Sequence, residues 1–408
     1  MTYIVQKFGG TSVGDIGRIE HVANIIASEV KKKNKVIAIV SAMSQETNRL
    51  VKLVKETTSI YDGREYDGIV STGENVTAGL LSIKLQNIGI PARSWLGWQI
   101  PILTTDMHTD ARIQDINKEN IERKFKEGMK VAVVAGFQGI SSENRITTLG
   151  RGGSDTTAVA ISATFGAERC DIFTDVEGVF TTDPRIVKNA RKLDVIAYEE
   201  MLELSSLGAK VLHTRSVELA MRYGVRLQVL SSFEEKNGTL VCREDKMLES
   251  KIISGISCSK EEAKITLTGV DDKPGVAAAI FGPLSESGIN VDMIIQNISE
   301  NNSTDLTFSC PSSQVLEAEE AIKMASKKKE ISFKTHIIDT NVAKVSLVGI
   351  GMRSHTGIAK KMFEALADEN INILVISTSE IKISILVEQK YMELAVQTLH
   401  DAFELEKP

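Results

Sequence analysis

From the N-terminus to about residue 240, short apolar runs alternate with stretches of helical period. Tyr3-Ile4-Val5-Gln6 predicts a short strand, and Val36–Val40, Val131–Ala135 and Asp171–Thr174 predict buried ones. Between the first two, Ile19, Val22, Ile25 and Ile26 mark one face of a helix, and residues 74–88 and 154–166 also read as helices. Continuously apolar strands alternating with helices imply an α/β domain with a mostly parallel sheet sandwiched by helices. In such a sheet ligands bind outside the carboxyl ends of the strands.

From about residue 263 the pattern changes and a repeat emerges. Ile265–Val270 is echoed by Val345–Ile350, Lys273-Pro274-Gly275-Val276 by His355-Thr356-Gly357-Ile358, Gly288–Val291 by Asn370–Ile373, and Asp305–Phe308 by Lys382–Ile385. Each unit reads strand, helix, strand, strand, helix. The first then has a fourth strand, Ile331–Ile338, whereas the second has only Glu404–Pro408 left after a helix over 391–403. Five residues, too few and too polar, cannot supply the missing strand, and the run Lys251–Cys258 is the best donor; the alternative is a linker strand. The expected domains are therefore 1–245, a first repeat over 264–340, and a second, interleaved repeat built from 246–263 and 341–408.

Composition narrows the class. The 408 residues are 42% hydrophobic and 25% charged, as in a globular protein with a full core. A net charge of −6, without a basic tail or aromatic-interleaved basic patch, argues against nucleic acid. Lys31–Lys33 and Lys327–Lys329 read as solvated helix ends. Cys170, Cys242, Cys258 and Cys310 lack metal-ligand spacing and read as buried thiols in a reducing compartment. No signal peptide and no membrane-spanning apolar run is visible, so the expected address is the cytoplasm.

Polar residues gather at the strand ends. Lys7-Phe8-Gly9-Gly10-Thr11-Ser12 places a lysine at a strand end and two glycines before a helix, where backbone amides can cradle phosphate; a plain tight turn is the alternative. It is not a Walker loop, because the lysine precedes the glycines. Gly150-Arg151-Gly152-Gly153-Ser154-Asp155 surrounds an arginine with glycines. Its guanidinium fork suits a carboxylate or phosphate. Ser154 or Asp155 as a helix cap explains only part of that stretch. Glu74 could be a first-turn glutamate favoured by the helix dipole, and His213 reads as structural.

These motifs, with Thr174-Asp175-Val176 through Thr181-Thr182-Asp183-Pro184-Arg185, resemble aspartate kinase over the whole chain, and the repeat resembles that family's tandem ACT domains. The resemblance implies an amino acid kinase-type sheet followed by two interleaved α+β, ferredoxin-like ACT domains. It further implies transfer of the γ-phosphoryl of ATP, with Mg²⁺, to the side-chain carboxylate of L-aspartate. The product would be 4-phospho-L-aspartate, on the way to lysine, threonine and methionine.

By the same resemblance Lys7, Asp155 and Lys210 are catalytic, with Gly9 and Gly10 amides assisting Lys7. Arg151 clamps the α-carboxylate, and Glu74 with Asp155 holds the ammonium. Ser41, Thr47 and Ser154 complete the substrate pocket. Thr174, Asp175, Phe180, Arg185 and Lys210 line the nucleotide site, and no dedicated metal cage of carboxylates is seen. Phe180, Gln45 and Thr214 depart from the family's usual tyrosine, glycine and proline. Rival readings are another kinase of this fold, such as acetylglutamate or uridylate kinase, and a non-catalytic amino-acid sensor.

The loop Asp271–Gly275 leads into a helix whose exposed amides could take an amino acid's carboxylate, with Asp272 meeting the ammonium; an aspartate-capped helix start is the alternative. The ACT resemblance implies a lysine or threonine effector site there. Gln296 and Asn297 would line it, with Asn372 and Ile373 facing it across an interface that makes a homodimer or higher oligomer.

Overall fold

The computed structural model describes residues 2–206, 211–243, 252–298, 303–328 and 330–407. Lys210, Lys251 and Lys329 lie outside them, as do residues 244–250. The described chain forms two units: one holds the residues up to Val179, then Lys192–Ser206 and 211–243, and the other holds Phe180–Arg191 and 252–407.

The first unit is built on an eight-stranded sheet. In spatial order its strands are Val195–Ala197, Thr239–Cys242, Leu227–Ser231, Arg169–Thr174, Tyr3–Phe8, Lys35–Val40, Val131–Ala135 and Ala92–Trp95. All neighbours are parallel except 227–231 against 239–242. Phe8, Val36, Ala38, Val40, Val131 and Val133 point to one face, where Val22 and Ile26 of the helix Ile16–Lys31 and Leu81 and Leu85 of the helix Thr72–Asn87 cover them. Asp15 caps the first of these helices by accepting from the Arg18 amide at 2.8 Å. Residues of opposite parity, among them Val5, Lys7, Ile37 and Ile39, face the other side, where the helix Gly153–Phe165 packs. The chain leaves the central strand Tyr3–Phe8 towards Lys35–Val40 on one side and later returns to Arg169–Thr174 on the other. That reversal of strand order opens a crevice at the carboxyl end of Tyr3–Phe8. A separate four-stranded sheet, Ile113–Ile116, Ile102–Thr104, Gln138–Ile140 and Ile146–Thr148, has no counterpart in the sequence reading.

The second unit carries a six-stranded antiparallel sheet in the order Asp292–Ile298, Ser303–Pro311, Gly255–Asp271, Thr335–Val348, Lys382–Glu388, Val375–Thr378. Gly255–Asp271 and Thr335–Val348 each run through both repeats. Gly255–Ser259 pair with Val348–Lys344, and Lys264–Thr268 pair with Asp339–Thr335, with register shifts between the two halves. Within the expected donor run, Gly255–Cys258 is thus not a separate strand but the start of a 17-residue one. Each repeat has its own apolar core, one around Ile265, Leu267, Ile280 and Phe308, the other around Val345, Leu347, Ile385 and Leu399. Lys344 spans them, with Nζ 2.8 Å from Glu262 and 2.9 Å from Asp292.

Phe180–Arg191 belongs to this unit because Val187 is buried in the second repeat's core with Ile186 beside it. The Thr181 carbonyl accepts from the Ile256 amide at 2.7 Å, and Thr181 Oγ1 lies 3.0 Å from His400 Nε2. Of the cysteines, Cys170 and Cys310 are buried but Cys242 and Cys258 are partly exposed, which corrects the expectation of four buried thiols. None of the described helices is long and apolar enough to cross a membrane.

Candidate active site

A cleft of about 1060 Å³ opens at the carboxyl end of the central strand. Lys7, Gly9, Gly10, Ser41, Thr47, Glu74, Arg151, Ser154, Asp155, Thr174 and Asp175 all line it. Lys7 is the penultimate residue of the strand Tyr3–Phe8, and its side chain crosses to the helix Gly153–Phe165, where Nζ lies 2.6 Å from Asp155 Oδ1. Neither Ser154 nor Asp155 caps that helix. Gly152 stands at the cap position with φ 71°, so the two side chains fall inside the first turn and face the cleft.

The glycines around Arg151 have separate causes. Gly150 and Gly152 sit at φ 72° and 71°, where side chains other than glycine are strained. A Cβ at Gly152 would also lie 2.3 Å from the ring of His213, which therefore acts as a packing wall. Burial holds the His213 imidazole below its ordinary pKa. Arg151 itself is exposed and has no partner among the described residues, so its guanidinium is open to the cleft.

The first loop does not act as expected at Gly9. Its amide donates to the Phe173 carbonyl at 3.2 Å, tying the loop to the neighbouring strand rather than pointing at a ligand. The Gly10 and Thr11 amides have no partner among the described residues and border the cleft. Ser12 turns inward to Ser232 Oγ at 2.8 Å, and the Arg18 guanidinium binds the Ser232 carbonyl, so the loop is anchored to the end of Leu227–Ser231.

Glu74 lies in the first turn of the helix Thr72–Asn87 and is only 3% exposed. Oε1 accepts from the Ala42 amide at 3.1 Å, while the buried Oε2 has no partner. Burial pushes its carboxyl up to about 7, against which the Ala42 amide works. A helix-dipole role leaves this second oxygen unexplained.

Phe180 and Arg185 fall outside the unit that holds this cleft. Both belong to the second unit, where Arg185 is exposed and its guanidinium bonds Asp183 at 2.6 Å. Lys210 lies outside the described residues. Several cleft residues had no sequence signal. Phe137 adopts φ 69°, rare for an aromatic residue, at the end of Val131–Ala135. Tyr61, Tyr66, His108, Thr109 and Thr148 also line the cleft, the last three bonded to the fully buried Asp67.

Of the residues expected to bind an effector, Gly275 caps the helix Val276–Glu286 at φ 92°, and Asp272 makes no cap. Asp272, Gln296, Asn297 and Asn372 are exposed. Ile373 instead packs against the second repeat's own core, because its apolar side chain has a core to enter there. In the second repeat the equivalent loop borders a cavity of about 480 Å³ lined by Arg353, His355, Gly357, Ser379 and Glu380 among others.

Residues 2–231 match the amino acid kinase family, and 264–323 and 345–403 each match an ACT domain. An aspartate kinase of Stutzerimonas stutzeri is 52% identical over 409 residues, spanning 100% of this chain and 98% of that protein. An aspartokinase of Pseudomonas aeruginosa is 53% identical, with 100% and 99% covered. Among solved structures, E. coli aspartokinase III in complex with aspartate and ADP (R-state) superposes with a TM-score of 0.82 at 26% identity, covering 98% of this chain and 99% of that one. The same enzyme in complex with lysine and aspartate (T-state) gives 0.77 at 25% identity, with the same coverage.

Proposed function

Because the chain belongs to the aspartokinases of the amino acid kinase family, we propose that its cleft transfers the γ-phosphoryl group of ATP to the side-chain carboxylate of L-aspartate. The product is 4-phospho-L-aspartate, and the reaction opens the route to lysine, threonine and methionine. The observation that carries the amino-acid end is Glu74: a buried carboxylate with one unpartnered oxygen, in the same cleft as an open guanidinium. An ammonium on Glu74 and an α-carboxylate on Arg151 leave the substrate's side chain to reach Lys7.

The acceptor carboxylate is already ionised at neutral pH, so the reaction needs no general base. It needs two anions held in line and their charge offset. Lys7 supplies the cation at the transferring group, and Asp155 fixes the position of its ammonium. The Gly10 and Thr11 amides serve the phosphates, Thr174 and Asp175 the nucleotide, and Ser41, Thr47 and Ser154 the substrate pocket. Mg²⁺ on the ATP phosphates offsets their charge. With Asp155 paired to Lys7 and Glu74 buried, the cleft offers Asp175 as its exposed carboxylate, which suits a metal that keeps most of its waters. An ADP-release assay across aspartate, N-acetylglutamate, UMP and no acceptor tests the reading. Turnover confined to aspartate supports it, and turnover with another acceptor alone sinks it.

The tandem ACT domains act as the regulatory part. Lysine or threonine, as end products, bind at the loop-to-helix turns of the repeats and lower activity, and ACT domains of two copies pair to form the site. The lysine-bound T-state relative supports an amino-acid effector. Asp272, Gly275, Gln296 and Asn297 line that site.

A further inference from the structure

Asp67 is the most deeply buried carboxylate near the cleft, with 0% exposure, and no part of the proposed reaction uses it. It sits on the helix Gly63–Val70 and gathers three other groups. The Thr109 amide donates at 3.0 Å, Thr148 Oγ1 at 2.5 Å, and His108 Nδ1 lies 2.8 Å away. A carboxylate only accepts, so the proton of this ring contact sits on Nδ1 and fixes the tautomer. The orientation of His108 is thus imposed from behind, as a buried carboxylate orients a functional imidazole elsewhere.

His108 itself lines the cleft. With Nδ1 engaged, the polar atom it has left is Nε2, which has no partner among the described residues. The loop bearing it abuts the loop bearing Arg151. A Cβ at Gly150 would lie 2.7 Å from Asp110 Oδ1 and 3.3 Å from the Thr109 carbonyl. The Ala111 amide donates to the Thr148 carbonyl at 2.9 Å, and Arg215 bridges the Leu149 and Ala111 carbonyls at 2.7 and 2.6 Å. Two loops joined by the Ala111–Thr148 bond and the Arg215 bridge carry one open guanidinium and one oriented imidazole into the cleft.

We propose that His108 Nε2 is a second donor for the α-carboxylate of the amino-acid substrate, beside Arg151, with Asp67 as its positioning residue. The inference rests on the reading of the cleft as an aspartate site. It makes His108 a specificity residue: it rewards a free α-carboxylate over a neutral α-substituent, while Lys7 acts at the other end of the molecule.

The test exploits the two ring nitrogens. His108→Asn keeps a donor where Nδ1 stood and removes Nε2; His108→Gln extends an amide towards the place of Nε2. Steady-state kinetics are measured for wild type and both variants with L-aspartate, with its α-amide, and with ATP varied, alongside thermal melting. The expected result for His108→Asn is a KM for aspartate raised about 10-fold or more, as loss of a hydrogen bond to a charged group implies. Its preference for aspartate over the α-amide should fall by a similar factor, with the KM for ATP and the melting temperature near wild type. His108→Gln should recover part of the preference. An unchanged preference in His108→Asn overturns the inference, as does an equal loss towards both acceptors, which marks a purely structural histidine. A wild-type enzyme that turns over no aspartate removes the underlying reading and this inference with it, and that is visible before any variant is compared.

Discussion

Lys7 Nζ and Asp155 Oδ1 lie 2.6 Å apart, each side chain about nine-tenths shielded from water. One belongs to the central strand and the other to the first turn of a helix on the sheet's second face. Lys7→Ala should therefore lower kcat by about 10²–10³-fold, the range for loss of one transition-state electrostatic contact. Circular dichroism should stay native. Asp155→Asn, which keeps the shape and frees the ammonium, should fall between the two. Near wild-type turnover in Lys7→Ala ends the assignment.

Arg151 is open to the cleft without a protein partner, so its fork is available for a bidentate contact. Arg151→Lys keeps the charge and loses the fork. The KM for aspartate should rise about 10-fold or more, as loss of such a contact implies, and the KM for ATP should move far less. A larger rise for ATP places Arg151 on the nucleotide instead.

Glu74 titrates near 7 in the free protein because it is buried. An ammonium binds only its ionised form. Thus kcat/KM for aspartate should climb as pH rises towards 7, by up to tenfold per unit, and flatten above it. Glu74→Gln should lower kcat/KM and remove that limb of the profile. The stability sign is opposite: a raised folded value favours folding below the ordinary 4.5, and this contribution is lost as pH rises through about 7. Between those values the free wild-type protein should lose melting temperature relative to Glu74→Gln. A flat profile for the wild type rejects Glu74 as the ammonium partner.

For regulation, Asp272→Ala with Gln296→Ala removes two exposed polar groups, one in the loop before the helix Val276–Glu286 and one on the strand Asp292–Ile298. Inhibition by lysine or threonine should weaken by roughly an order of magnitude, as loss of a coupling of about 1–3 kcal/mol implies, while uninhibited turnover stays near normal. Inhibition left intact by both amino acids shifts attention to the cavity around Arg353 and Glu380 in the second repeat.

What could be read beforehand was whatever repeats or alternates. The buried strands announced themselves because both faces are covered, so Val36–Val40 and Val131–Ala135 are apolar throughout. Gln45 was legible as a departure, and its φ of 65° gives the reason glycine suits that place. The Lys7 and Arg151 motifs pointed to the cleft because unusual residue types stand together in sequence. Asp67, His108 and Thr148 left no such trace, since they meet only through folding across a span of 81 residues. The engagement of Gly9 by Phe173 was equally hidden: a glycine pair shows that the backbone comes close to something, not what it meets. Nor does sequence order reveal that Phe180–Arg191 leaves the unit on either side of it, because Val187 carries the same apolar signal whichever core it enters.

The two strands that run through both repeats, Gly255–Asp271 and Thr335–Val348, give the second unit a fixed order of construction. On a growing chain, residues 264–340 contain every strand of the first repeat, so its core can close while the rest is still being made. Gly255–Ser259 must meanwhile wait without its strand partner until Lys344–Val348 arrives. The last helix, Met392–Ala402, seals the second core and closes over the segment that began as residue 180. Truncation from the C-terminus should therefore spare the first repeat and unmake the second. A peptide cut between 259 and 264 would divide the sheet along a line that belongs to neither repeat alone.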